Sequence, residues 1–306
     1  MRISTNSIYQ SGTNRLMDLQ NDLSKLNEQI SSGKRVRTPA DDPVASARIL
    51  ELTNAQNLNS IYASTRNVAK TSLETYETNM TSITNVILDV QSSLVSAGNG
   101  SYNDQQRANI ASELQGRLDS LIGLVNTKDA QGNYMYSGHQ TGTVPYVLNT
   151  VTGNIDFQGD TEKRALQVDV QRQMPVTYSG TELFQANGND LFGTLQDMIS
   201  LLKTPITDAT TQTNFSNGLA DTMTKVQGVL DQVLNVRADL GSKLNELDTL
   251  DVTGSDMELQ YTASISKLQD LDYTEALSDL AKRSTILEAA QKSYVQTSQL
   301  SLFQFI

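Results

Sequence analysis

Residues 69–97 read AKTSLETYETNMTSITNVILDVQSSLVSA. Within them Ala69, Leu73, Tyr76, Met80, Ile83, Ile87, Val90, Leu94 and Ala97 step by 4, 3, 4, 3, 4, 3, 4 and 3 residues. Alternating steps of four and three put every one of these side chains on one stripe of an α-helix. Four heptads without a phase error predict coiled-coil-like packing. At 1.5 Å per residue the stripe is about 40 Å long. Gly98-Asn-Gly100 ends it. Upstream, Asp42 suits an N-cap and Pro43 the first helical position, where its missing N–H costs nothing. The helix is therefore expected from about Pro43 to Ala97.

The same periodicity extends outward in both directions. Leu16, Leu19, Leu23, Leu26 and Ile30 step by 3, 4, 3 and 4 and predict an amphipathic helix over residues 7–31. The segment Ser31 to Pro43, with a glycine and two prolines, breaks it. Downstream, Ala111, Leu114, Leu118, Leu121 and Val125 predict a third helix over about 103–128, joined by a connection short enough to favour an antiparallel pair.

Between 131 and 189 the helical pattern stops. Alternating runs at 144–148, 153–157, 165–170 and 176–178, with a hairpin turn at Val151-Thr-Gly-Asn154, predict a small β-rich insert. A short helix is expected from Asp190 to Leu202, stopping before Pro205. A long one follows over about 214–250, its seam formed by Val226, Val229, Val233, Leu240, Leu244 and Leu247 and interrupted by Arg237. Ser255-Asp-Met-Glu258 has the spacing of a capping box, which starts a last helix running to about Gln299, with a weaker break near Gln269 to Tyr273. In that last segment Leu280, Leu287 and Tyr294 recur every seven residues. Leu277, Leu300, Leu302 and Phe303 add apolar surface.

The expected fold is mainly α with a β-rich insert. Both halves of the chain form an elongated rod of long helices, a small β domain lies at the far end, and the termini return to the same end. Three parts are expected: 1–42 with 270–306 as a terminal-helix domain, 43–139 with 190–269 as a helical rod, and 140–189 as a β-rich domain. Chain ends are normally frayed, so apolar seams there call for partners, either each other or another subunit.

Composition narrows the function. With 23 basic and 34 acidic residues the net charge is −11, which argues against nucleic acid and against an anionic membrane surface as partners. The absence of cysteine excludes disulfides, thiolate catalysis and cysteine-ligated metals. The opening residues carry no apolar signal-peptide core, and no run approaches the ~20 apolar residues that span a bilayer. Ser31-Ser-Gly-Lys34 fits a serine-acylase motif formally but lacks its partner motifs, and reads better as a helix-ending loop. His139, the single histidine, cannot build a zinc site alone and reads as a turn residue. Nothing in the β insert pairs a nucleophile with a base, so neither an enzyme nor a cofactor is expected.

Several segments carry a resemblance. Met1-Arg-Ile-Ser-Thr-Asn6, the stretch Gln29-Ile-Ser-Ser-Gly-Lys-Arg-Val-Arg-Thr-Pro-Ala-Asp-Asp-Pro-Val44, Asn133-Tyr-Met-Tyr-Ser-Gly-His-Gln-Thr141, Asp272-Tyr-Thr-Glu-Ala276 and the end Leu300-Ser-Leu-Phe-Gln-Phe-Ile306 together resemble the flagellin superfamily of axial flagellar proteins. The Lys-Arg-Val and Asp-Asp-Pro forms are similar to its hook–filament junction branch rather than to filament flagellin, which stands as the alternative. The resemblance implies a structural subunit of the extracellular flagellum, exported through the flagellar type III apparatus without a cleaved signal. It would assemble with itself, with hook-associated protein 1 and with flagellin. The assembly interface it implies is Leu16, Leu19, Leu23, Leu26, Ile30, Leu277, Leu280, Leu287, Tyr294, Leu300, Leu302 and Phe303. It further implies an export chaperone holding Leu280, Leu287 and Tyr294, and a signature loop of Gly33, Lys34, Arg35, Pro39, Asp41, Asp42 and Pro43.

Overall fold

In a computed structural model that describes residues 2–303, the described residues form seven α-helices: α1 (Arg2–Ser32), α2 (Pro43–Ala97), α3 (Asp104–Val125), α4 (Gly180–Phe184), α5 (Leu191–Lys203), α6 (Ala209–Gln269) and α7 (Tyr273–Phe303). Between α3 and α4 lie four strands, β1 (Tyr146–Leu148), β2 (Ile155–Phe157), β3 (Ala165–Asp169) and β4 (Arg172–Pro175). The expected class, mainly α with a small β-rich insert and long helices at both ends, is what the chain adopts. Residues 304–306 of the apolar end lie outside the described residues. Two compact units form, residues 1–60 with 255–306, and residues 61–254.

The larger unit holds the main core. All nine positions of the α2 stripe are buried, none more than 3% exposed. Ala111, Leu114, Leu118, Leu121 and Val125 of α3 join them, with Leu195, Met198, Ile199 and Leu202 of α5 and Val226, Val229, Val233, Leu240 and Leu247 of α6. Each fully buried leucine or isoleucine is worth roughly 1.5–3 kcal/mol, so this seam dominates the stability of the unit. The α3 helix starts at a reciprocal capping box: Asn103 Oδ1 accepts from Gln106 N, and the Gln106 side chain accepts from Asn103 N, both at 2.9 Å.

Polar cross-links fix the antiparallel register of α2 and α6. Arg66 pairs with Asp251, Lys70 with Asp248 at 2.7 Å, and Gln91 Nε2 donates to Gln227 Oε1 at 2.8 Å. Arg237, which interrupts the α6 seam, donates from Nη2 to Glu77 Oε1 at 2.6 Å and from Nη1 to Thr84 Oγ1 at 3.4 Å. A charge on the seam is tolerated there because a carboxylate on the facing helix meets it.

The insert consists of two hairpins, β1–β2 and β3–β4, both antiparallel. The first turns through Asn149–Asn154, where Gly153 takes φ +79°, a left-handed conformation that favours glycine. Tyr146, Phe157, Phe184 and Phe192 pack against one another with ring centroids 4.5–6.2 Å apart and seal the hairpin onto α4 and α5.

Two expectations are corrected. The fourth strand is Arg172–Pro175, not 176–178. Val176, Thr177 and Tyr178 are buried because they pack inward, and the ladder ends as Val176 N donates to Arg164 O at 2.8 Å. Nor does a helix begin at Ser255, because α6 is continuous to Gln269. Glu258 does not cap a helix; its carboxylate accepts from Gln56 Nε2 at 2.6 Å and Asn59 Nδ2 at 3.4 Å on α2. The break falls at 270–272, within the stretch near Gln269 to Tyr273 where a weaker break is expected.

Candidate assembly surface at the chain ends

In the smaller unit α1 and α7 pair. The half-buried or buried positions of α1 include Tyr9, Gly12, Thr13, Leu16, Leu19, Leu23, Leu26 and Ile30, a single stripe. On α7 the matching stripe is Ala276, Leu280, Arg283, Leu287, Ala290 and Tyr294. The two run antiparallel. Tyr294 packs edge-on against Tyr9 at 6.4 Å, and its hydroxyl lies 3.1 Å from Thr13 Oγ1. Further along, Arg283 Nη1 donates to Asp22 Oδ2 at 3.2 Å. Gly12 admits the Tyr294 ring, since a Cβ there would come within 2.8 Å of Tyr294 Cε2. Every heptad residue singled out on α1, together with Leu280, Leu287 and Tyr294, therefore falls on this seam. Leu277 lies off it and is 52% exposed. The side chains of Leu300, Leu302 and Phe303 lie outside the described ones.

Sequence periodicity stopped at Leu16, yet Tyr9, Gly12 and Thr13 continue the seam. Their spacing of three and four residues back from Leu16 was the available signal. Among the described residues only Leu26, Val36, Ala45 and Ala276 are buried apolar side chains in this unit. A two-helix pair covers one stripe of each partner and leaves the rest in water.

The signature loop closes one end of the pair. Gly33 takes φ +71° and sits against the Tyr273 hydroxyl, which a Cβ would meet at 3.0 Å. Arg35 N donates to Gln269 O at 2.7 Å, Leu271 N donates to Gly33 O at 2.9 Å, and Lys34 bridges Asp270 as a short antiparallel pair. The loop is thus stitched by backbone to the α6–α7 junction. Asp272 caps α7, accepting from Thr274 N at 2.8 Å and Glu275 N at 3.2 Å.

The paired aspartates organise the rest of the loop. Asp41 accepts from Arg37 N, Thr38 N and Thr38 Oγ1 and pairs with Lys25 at 2.9 Å. Asp42 caps α2 by accepting from Ala45 N at 3.0 Å, and pairs with Arg35 at 3.2 Å. Arg35 Nη2 also donates to Leu268 O at 2.9 Å, and Arg37 pairs with Glu28. Lys34, Arg35, Pro39 and Pro43 are exposed, Gly33, Asp41 and Asp42 half-buried, and Val36 is the buried anchor.

Lys25 first, then the Thr38 and Arg37 amides, hold the Asp41 carboxyl well below the usual carboxylate range. The Ala45 amide and Arg35 lower Asp42 as well. A carboxyl depressed by folding contributes stability above its ordinary pKa of about 3.9, and that contribution is lost as pH falls through the lowered value. The Asp41 carboxyl carbon, followed by NMR titration, is expected to have its midpoint below that ordinary value, and Lys25→Met to raise it. A midpoint at or above the ordinary value would refute the arrangement.

Comparison with known proteins agrees with this geometry. Residues 3–141 match the family described as the bacterial flagellin N-terminal helical region. The chain is 34% identical over 318 residues to flagellar hook-associated protein 3 of Escherichia coli (strain K12), covering 99% of both chains. It is equally similar, 34% over 318 residues and 99% of each chain, to flagellar hook-associated protein 3 of Salmonella typhimurium. Among solved structures, one of a putative flagellar hook-associated protein from Vibrio parahaemolyticus shares the fold with a TM-score of 0.68 at 23% identity, covering 75% of this chain and 100% of that one.

A helical pair at the chain ends, a β insert between helical halves and this full-length likeness make the chain a bacterial flagellar protein. With 34% identity across its length, the chain belongs to the flagellar hook-associated protein 3 family. It is a structural protein of the flagellum and not an enzyme.

Proposed function

We propose that this protein forms the junction between the hook and the flagellin filament, meeting hook-associated protein 1 on one side and flagellin on the other. Full-length identity to hook-associated protein 3 carries the reading. The half-exposed terminal seams support assembly through α1 and α7, because helices buried on one stripe keep apolar surface for neighbouring copies. The working division is 1–42 with 270–306 for polymerisation, 43–139 with 190–269 as the helical shell, and 140–189 as the outer part. Export by the flagellar type III route belongs to this reading.

Electron microscopy of cells lacking the protein tests the reading. Bare hooks with flagellin released into the medium are expected. Filament flagellin is the second reading, favoured by the flagellin-type N-terminal match. It predicts instead that filament protein itself disappears from cells and medium.

Before export a chaperone is expected to hold Leu280, Leu287 and Tyr294, which recur every seven residues along α7. Replacing Leu287 and Tyr294 by Asp should weaken capture at least tenfold, since two apolar anchors of roughly 1.5–3 kcal/mol each are lost. Calorimetry with the purified chaperone measures this, and an unchanged affinity would remove α7 as its target.

A further inference from the structure

The larger unit contains a cleft of about 760 Å³ that the junction role does not use. Its lining includes Thr71, Ser72 and Thr75 of α2, Arg164 just before β3, and Asp129, whose Oδ1 already accepts from the Gln131 and Asn133 amides, each at 2.9 Å. Its volume is within the range of small-molecule sites, roughly 300–1,000 Å³.

Arg164 is the unusual residue. In residues 61–254 the other arginines all meet carboxylates: Arg66 with Asp251, Arg107 with Asp104, Arg117 with Asp89, Arg172 with Glu246 and Arg237 with Glu77. Arg164 meets none, and its Nε is buried without a hydrogen-bond acceptor. Its backbone is nevertheless fixed, since its N donates to Thr177 Oγ1 at 2.8 Å and its O accepts from Val176 N at 2.8 Å. A buried guanidinium nitrogen without an acceptor is costly, and a carboxylate is the group whose geometry matches the guanidinium fork.

The α2 wall has the opposite character. Thr71 Oγ1 donates to Asn67 O at 2.9 Å, Thr75 Oγ1 donates to Thr71 O at 2.8 Å, and Ser72 Oγ donates to Val176 O at 3.3 Å. With their single protons committed, these hydroxyls retain only lone pairs. The wall therefore accepts hydrogen bonds, whereas Arg164 donates them.

We infer that the cleft binds a polyhydroxylated carboxylate of monosaccharide size, a uronic-acid type of sugar. Its carboxylate sits on Arg164 and its hydroxyls donate to Thr71, Ser72 and Thr75.

The test is an NMR titration of the full chain with glucuronate, with glucose and acetate as controls. Saturable shifts are expected at Arg164 Nε and at the amides of Thr71 and Thr75. Glucose and acetate should each bind about tenfold or more weakly, as each supplies half of the complement. Arg164→Gln removes no hydrogen bond or ion pair in the free protein, so it should fold normally and bind glucuronate about tenfold more weakly. Thr71→Val, nearly isosteric, should weaken glucuronate and leave acetate unchanged. Absence of saturation, unaltered binding by Arg164→Gln, or equal affinity for acetate and glucuronate would each overturn the inference.

Discussion

Deleting residues 1–30 or 280–306 is expected to abolish polymerisation while residues 61–254 still unfold cooperatively. The first deletion removes Leu16, Leu19, Leu23, Leu26 and Ile30, and the second removes Leu280, Leu287 and Tyr294, so either leaves the surviving helix without its opposite stripe. A lone helix with an unpaired apolar stripe is marginal in water. The larger unit keeps its own core, because the buried α2, α3, α5 and α6 side chains described above all lie within 61–254. Calorimetry of the truncated chains should retain a cooperative transition. Electron microscopy after complementation of a junction-deficient strain should find no restored filaments. Filaments restored by a doubly truncated chain would end the case for assembly through the chain ends.

Ile87→Ala should destabilise the larger unit by about 2–5 kcal/mol, the range for truncating a large aliphatic in a packed core. For a unit of this size that lowers Tm by roughly 2–4 °C per kcal/mol. The adjacent position is the control. Ile87 is fully buried whereas Leu88 is 47% exposed, so Leu88→Ala should change stability by no more than about 0.5 kcal/mol. Urea melts of the two variants decide the point. Equal losses would mean that the stripe is not the seam of the unit.

The long stripes were legible because a helix in a packed bundle solves its burial locally. Nine apolar positions of α2 in strict alternation admit one buried face, and all nine are on it. Features set by distant partners were less legible. Arg237 looks like an error in the α6 seam until Glu77, far away in sequence, is placed beside it. The serine and glutamate near 255–258 have the spacing of a cap, but Glu258 is held by α2 amides and nothing local stops the helix. The fourth strand is hard to read from sequence because Arg172–Pro175 carries one fully buried side chain, Met174, whereas the neighbouring apolar run 176–178 is buried without extending the strand. At the chain ends the seam was readable from leucine spacing. The Lys34–Asp270 clip was not, because it joins backbone to backbone and leaves no side-chain signature.

That clip has a consequence for assembly. Stitching Gly33 and Arg35 to Gln269 and Leu271 tethers the roots of α1 and α7 to each other. Each helix then meets its own partner at an effective concentration on the order of millimolar, the value for a short tether. In the proposed assembly neighbouring copies use the surface outside the seam; a copy that instead took the seam itself would have to displace the resident helix in an exchange reaction. Such an exchange disfavours spontaneous aggregation in dilute solution. In the proposed polymer it would be favoured only where neighbours are already arrayed.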